Sequence, residues 1–79
     1  MEGLKSDENM AVGMLTEAEK FIAQEQYSTC DGLMKELYSH ENWREKYGGR
    51  ILLLRAYCAI KLGDLKLGMD FIGAFRKRI

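Results

Sequence analysis

Few residues in this chain are equipped for chemistry, and their spacing decides what they can do. His40 is the single histidine, beside Glu41, and reads as an exposed loop residue. Cys30 and Cys58 are the two cysteines. A metal site needs several His, Cys or carboxylate ligands converging, and neither CxxC nor HxxxH spacing occurs. A nucleophilic cysteine needs a base and an electropositive, accessible setting. Both cysteines fall instead at apolar helix positions, so a reduced, buried pair is expected rather than a disulfide. Gly48-Gly49 lacks the Lys-Ser/Thr that follows in a phosphate loop. Trp43 and Tyr47 could stack a base or cap a peptide groove, but at helical spacing they read as packing residues. The expectation is a chain with no catalytic residue, metal or cofactor.

Charge gives a weaker signal. The net charge is zero, yet residues 1–45 carry ten acidic and four basic groups, and residues 46–79 carry two and eight. The halves stand near −6 and +6. They can attract each other within one domain, associate head to tail, or present a basic C-terminal face to an acidic partner. A basic-faced, nucleic-acid-binding domain using Arg50, Arg55, Lys61, Lys66, Arg76, Lys77 and Arg78 is the alternative function, and salt-dependent binding would reveal it.

The elements that must position these residues are helices. The chain has 79 residues, no Pro and 47% apolar residues, which bounds it to one small all-helical domain. No run of about 18 uncharged apolar residues is present to span a membrane. The acidic N-terminus has no signal-peptide character, so a cytoplasmic or nuclear location is expected. The stretch from Arg50 to Asp64 is apolar nearly all round: Ile51, Leu54, Cys58 and Leu62 follow one stripe, and Leu53, Ala56, Tyr57 and Ile60 another. Such a helix has neighbours on at least two sides. Gly63 supplies a left-handed cap and Asp64 caps the next helix.

Four helices follow from the periodicity. The first starts at a Ser6 or Asp7 cap and runs to about Gln24, burying Met10, Ala11, Met14, Leu15, Ala18, Phe21 and Ile22. The second opens at Ser28, with Asp31 as its capping-box partner, and ends near Ser39. The third starts at Trp43 behind an Asn42 and Glu45 cap and runs to Leu62. Gly48-Gly49 inside it costs about 2 kcal/mol relative to Ala; a kink or break is open, and a continuous or bent helix is favoured. The fourth covers Leu65 to about Lys77. These form two antiparallel hairpins, 7–39 and 43–78.

The hairpins repeat. AEKFIAQEQYSTCDGLMKEL from Ala18 aligns with AYCAIKLGDLKLGMDFIGAF from Ala56 at an offset of 38 residues. A small residue midway along each helix lets backbones approach, and larger residues fill the space beside them. With Ala18, Phe21, Tyr27 and Cys30 in one unit and Ala56, Gly63, Asp64 and Gly68 in the other, the pattern resembles a tetratricopeptide repeat over roughly residues 11–78. It departs from that family in its 38-residue spacing, its missing Pro, and Met14 and Glu17 at the Trp and Leu positions. The resemblance implies a groove lined by Val12, Leu15, Glu19, Ile22, Ala23, Arg50, Leu53, Tyr57, Ile60 and Lys61. Its mainly apolar lining suits a partner helix or apolar peptide better than a charged tail. Because each repeat covers only one face of its neighbour, apolar surface on the last two helices should stay uncovered. A protein partner, as a homodimer or a tight hetero-complex, is expected.

Overall fold

The computed structural model describes the backbone of residues 2–78 and the side chains of residues 8–78. Helix α1 spans Glu2–Ala23, α2 Tyr27–Tyr38, α3 Glu41–Lys61 and α4 Leu65–Arg78. Helix α3 is the centre. It packs along α2 on one side and α4 on another, and touches α1 along an edge, while α4 packs on α3 alone among the described residues. The result is two antiparallel hairpins, α1–α2 and α3–α4, stacked into a slab of 42 × 30 × 16 Å.

The core follows from the apolar stripes. Ala11, Leu15 and Ala18 of α1, Cys30, Met34 and Leu37 of α2, and Ile51 and Cys58 of α3 are buried together. Trp43, Tyr47 and Leu54 pack against them, half-buried. At the α3–α4 contact, a Cβ on Gly68 would sit 2.6 Å from Ile60 Cγ1 and 3.3 Å from the Ala56 carbonyl oxygen. Only a residue without a side chain lets the two helices approach this closely there.

The two turns match bond for bond. In the first, the Gln26 amide donates to Phe21 O (2.8 Å) and the Glu25 amide to Ile22 O (3.0 Å). In the second, the Asp64 amide donates to Ala59 O (2.9 Å) and the Gly63 amide to Ile60 O (3.1 Å). Each is a Schellman cap, and the offset is again 38 residues. Gly63 takes the left-handed conformation at φ 91°, and its equivalent Glu25 does so at φ 60°. A side chain there crowds the backbone. Glu25→Gly is therefore expected to stabilise the domain by about 0.5–1 kcal/mol, read as a higher denaturation midpoint with unchanged slope.

Asp64 caps α4 as expected, its Oδ1 accepting from the Leu67 amide at 3.1 Å. The other caps differ from expectation. Helix α1 begins at Glu2 and runs through Ser6 and Asp7, whose side chains lie outside the described residues. Helix α2 begins one residue before Ser28, behind Gln26, with no side-chain cap. Asp31, expected to close a capping box, instead pairs with Arg55 of α3. Helix α3 begins behind His40, not Asn42, again without a side-chain cap. For α2 and α3 the packing of an apolar face takes the place of a side-chain cap, since most helical stability in proteins comes from such packing.

Helix α3 runs unbroken through Gly48-Gly49. The two glycines form a socket for the end of α4. The Arg78 guanidinium lies where a Gly48 side chain would be, 2.6 Å from the position of its Cβ. Its Nη2 donates to the Arg44 (2.9 Å) and Glu45 (3.1 Å) carbonyl oxygens. The Phe75 ring packs against Gly49, 3.3 Å from the place of a Cβ. The lost helix propensity is thus offset by close packing of α4.

Candidate functional site

The residues with potential for chemistry do not converge. No group of three His, Cys, Asp or Glu residues placed to hold a metal occurs among the described residues. His40 is exposed at the start of α3. Cys30 and Cys58 are free thiols, fully buried against each other across the α2–α3 contact. Burial pushes the Cys30 thiol up, and it pushes Cys58 up to about 12, with the neighbouring Cys30 thiol adding to the rise. A thiol held protonated and away from solvent is a poor nucleophile. These two are core residues with the packing role of small apolar groups.

The charged halves meet within the chain. Lys46 pairs with Glu8 at 2.7 Å, Arg50 with Glu19, and Arg55 with Asp31 at 3.0 Å. Every one of these pairs joins a base on α3 to an acid on the first hairpin. The Lys46 ammonium is held protonated further up in pH by its hydrogen bond to Glu8. Arg55 does more than pair: its guanidinium also lies 4.4 Å from the centre of the Phe71 ring. It therefore ties α2, α3 and α4 together from a partly buried position. As one of the basic residues of the C-terminal half, Arg55 is a candidate nucleic-acid contact, and only the packed neighbours reveal this tying role. With Arg50 and Arg55 paired and Arg78 held on α3 carbonyls, the seven candidate nucleic-acid contacts do not form one free basic face.

The expected docking residues divide into three groups. Leu15 is 3% exposed and belongs to the core, so it does not line a surface; Ile22 is half-buried against the core. Glu19 and Arg50 close on each other across the α1–α3 edge. Leu53, Tyr57 and Ile60 remain exposed at 45%, 43% and 41% along one side of α3, with Tyr57 flanked by Tyr27 of α2 and Ile60 by Gly68 of α4. Lys61 stands beside them, its ammonium 5.5 Å from the Tyr57 ring centre. The Tyr57 ring centre is also 6.1 Å from that of Tyr27, the two rings tilted at 58°.

The apolar surface extends further than the expected groove. Leu62, Leu65 and Met69 are exposed at 53%, 64% and 67%, with Leu67 at 38%. The periodicity of α4 shows two apolar sides, but not which one α3 covers. No helix of the described residues is long and apolar enough to cross a membrane. Compared with protein families, curated proteins and solved structures, the chain matches none.

Proposed function

We propose that the chain is a non-catalytic protein–protein interaction module, tetratricopeptide-like in its repeat, that docks a partner helix or apolar peptide on the open side of α3. One observation carries this: Leu53, Tyr57 and Ile60 are large, apolar and exposed along one side of the helix that otherwise organises the core. Contiguous apolar surface of this kind on a small domain marks an interaction site, and the i, i+4, i+7 spacing suits a helix laid alongside. Lys61, at the edge of this surface, offers a cation to orient the partner. The free, buried thiols suit a reducing compartment, cytosolic or nuclear.

The test is capture of a partner from native extract by the wild-type chain and by two variants. Leu53→Glu and Tyr57→Ala are each expected to weaken capture by about 30-fold or more, the loss typical of a central contact residue. Circular dichroism should show both folded, because both side chains are well exposed, with Tyr57→Ala losing only its ring contact to Tyr27. Unfolding of both variants would mark these residues as core and remove the docking surface.

A further inference from the structure

We infer that Gly48 and Gly49 build an arginine receptor on α3, filled by Arg78, and that this seat is a releasable latch on the end of α4. Withdrawal of that one side chain opens α4 beyond Phe71 and uncovers Leu52 and Phe75, while the first hairpin stays folded.

The receptor follows from where the glycines stand. Inside a helix each carbonyl accepts from the amide four residues on and keeps a second lone pair. Side chains lean toward the helix N-terminus, so the one at i+4 shields the carbonyl at i. Gly48 and Gly49 stand four residues after Arg44 and Glu45 in the unbroken α3. Having no side chains, they leave open the two carbonyls to which Arg78 Nη2 donates, at 2.9 and 3.1 Å.

The filled seat selects a guanidinium. Its Cζ, Nη2 and Nη1 lie 2.6, 2.7 and 2.9 Å from the place of a Gly48 Cβ. With Cζ the nearest of the three, the flat group lies face-on over the glycine, where a methyl group would have to displace it. A lysine ammonium offers donors but no plane to cover this ground.

Other contacts hold α4, so that only its end is free to open. Near its start, Gly68 is seated against Ile60 and Ala56. At its middle, the Arg55 guanidinium lies 4.4 Å from the centre of the Phe71 ring. Beyond Phe71 no residue is buried: Ile72 to Phe75 are half-buried, and Arg76, Lys77 and Arg78 are exposed. This stretch meets α3 through Phe75 against Gly49 and Arg78 over Gly48. A segment with little buried surface, tied by a side chain that water reaches, opens locally rather than with the whole fold. Leu52, only 3% exposed, lies one turn from Gly48 on the same face and outside the core shared with α1 and α2. The end of α4 is therefore what covers it. Among the described residues α4 packs on α3 alone, so its opening leaves the core of the first hairpin in place.

Amide hydrogen exchange of the full chain, read residue by residue by NMR, tests the latch. Arg78→Ala should speed exchange at Phe75, Arg76 and Lys77 about 10-fold, the loss of hydrogen bonds from one charged group. Met34 and Leu37, in the first hairpin, should not change. Gly48→Ala adds a methyl that turns Arg78 out, and should speed the same amides although alanine is the better helix former. The two changes together should do no more than either alone, since each empties the same seat. Arg78→Lys should recover only part of the protection. Unchanged exchange at Phe75 to Lys77 in Arg78→Ala, additive effects in the double variant, full recovery by lysine, or equal acceleration at Met34 and Leu37 overturns the inference. Arg78→Ala removes only an exposed side chain, so the test does not depend on whether Gly48→Ala folds.

Discussion

Replacing Gly68 with alanine is expected to destabilise the domain by about 2 kcal/mol, even though alanine is the better helix former by about 1 kcal/mol. The added methyl meets Ile60 Cγ1 at 2.6 Å and the Ala56 carbonyl oxygen at 3.3 Å. Cγ1 lies one bond from the Ile60 Cβ and cannot swing clear without a rotamer change. The Ala56 oxygen is backbone and moves only if α3 moves. The two helices must therefore separate, and among the described residues α4 has no other helix to hold it. Chemical denaturation reads the loss. Gly68→Ala in an Ile60→Ala background should cost less than in the wild type, because the nearer of the two obstacles is gone. Equal costs in both backgrounds would show that the contact does not set the helix spacing. Gly73, with nothing within 4 Å of an added Cβ, is the control: Gly73→Ala should stabilise by up to about 1 kcal/mol.

Alkaline pH is expected to unfold the domain through its buried thiols. The Cys58 thiol ionises around 9.0 when exposed and is pushed up to about 12 in the fold by burial. The native state therefore binds the proton more tightly than the unfolded state. Its contribution is fully present below pH 9 and is lost as pH rises from about 9 toward 12. The loss runs at about 1.4 kcal/mol per pH unit, up to about 4 kcal/mol across the window. Cys30 shifts in the same direction, which steepens the fall. For a domain of this size that is a large share of the total stability. Denaturation of wild type and Cys58→Ala at a series of pH values from 8 to 11 measures it. The variant starts lower, having lost a buried side chain, but its stability should fall less steeply above pH 9. Parallel slopes would mean that the folded thiol is not shielded. Lysine and tyrosine ionisations are common to both proteins and cancel in the comparison.

Both effects arise where two helices meet, and both involve residues whose importance is local in sequence only by half. Gly68 is recognisable as a small residue at a repeat position, yet the atoms that make it indispensable belong to Ala56 and Ile60. Cys58 falls on an apolar stripe, but its raised pKa depends first on burial in the packed core and then on Cys30, 28 positions earlier. Gly48-Gly49 carried the opposite signal. Read alone, the pair is a weak point in a helix; in the fold it receives Phe75 and Arg78. A helix-breaking composition cannot be told from a socket until the occupant is in view.

By itself the sequence determined the four helices, the Gly63–Asp64 turn, the repeat, and most of the stripes that make the core, although Met10 and Leu62, which spacing placed on those stripes, are exposed at 51% and 53%. Each of these is a matter of periodicity or cap chemistry acting over a few residues. Leu15 and Leu53 mark where that information stops. They are the same residue at equivalent places in the repeat, with the same helical spacing around them, and one is interior while the other faces solvent. Periodicity reports which side chains share a face, whereas burial depends on whether another helix lies against that face. Only the tertiary structure decided that α3 lies over the first hairpin and buries Leu15, and that no helix of the described residues does the same for Leu53 on the second.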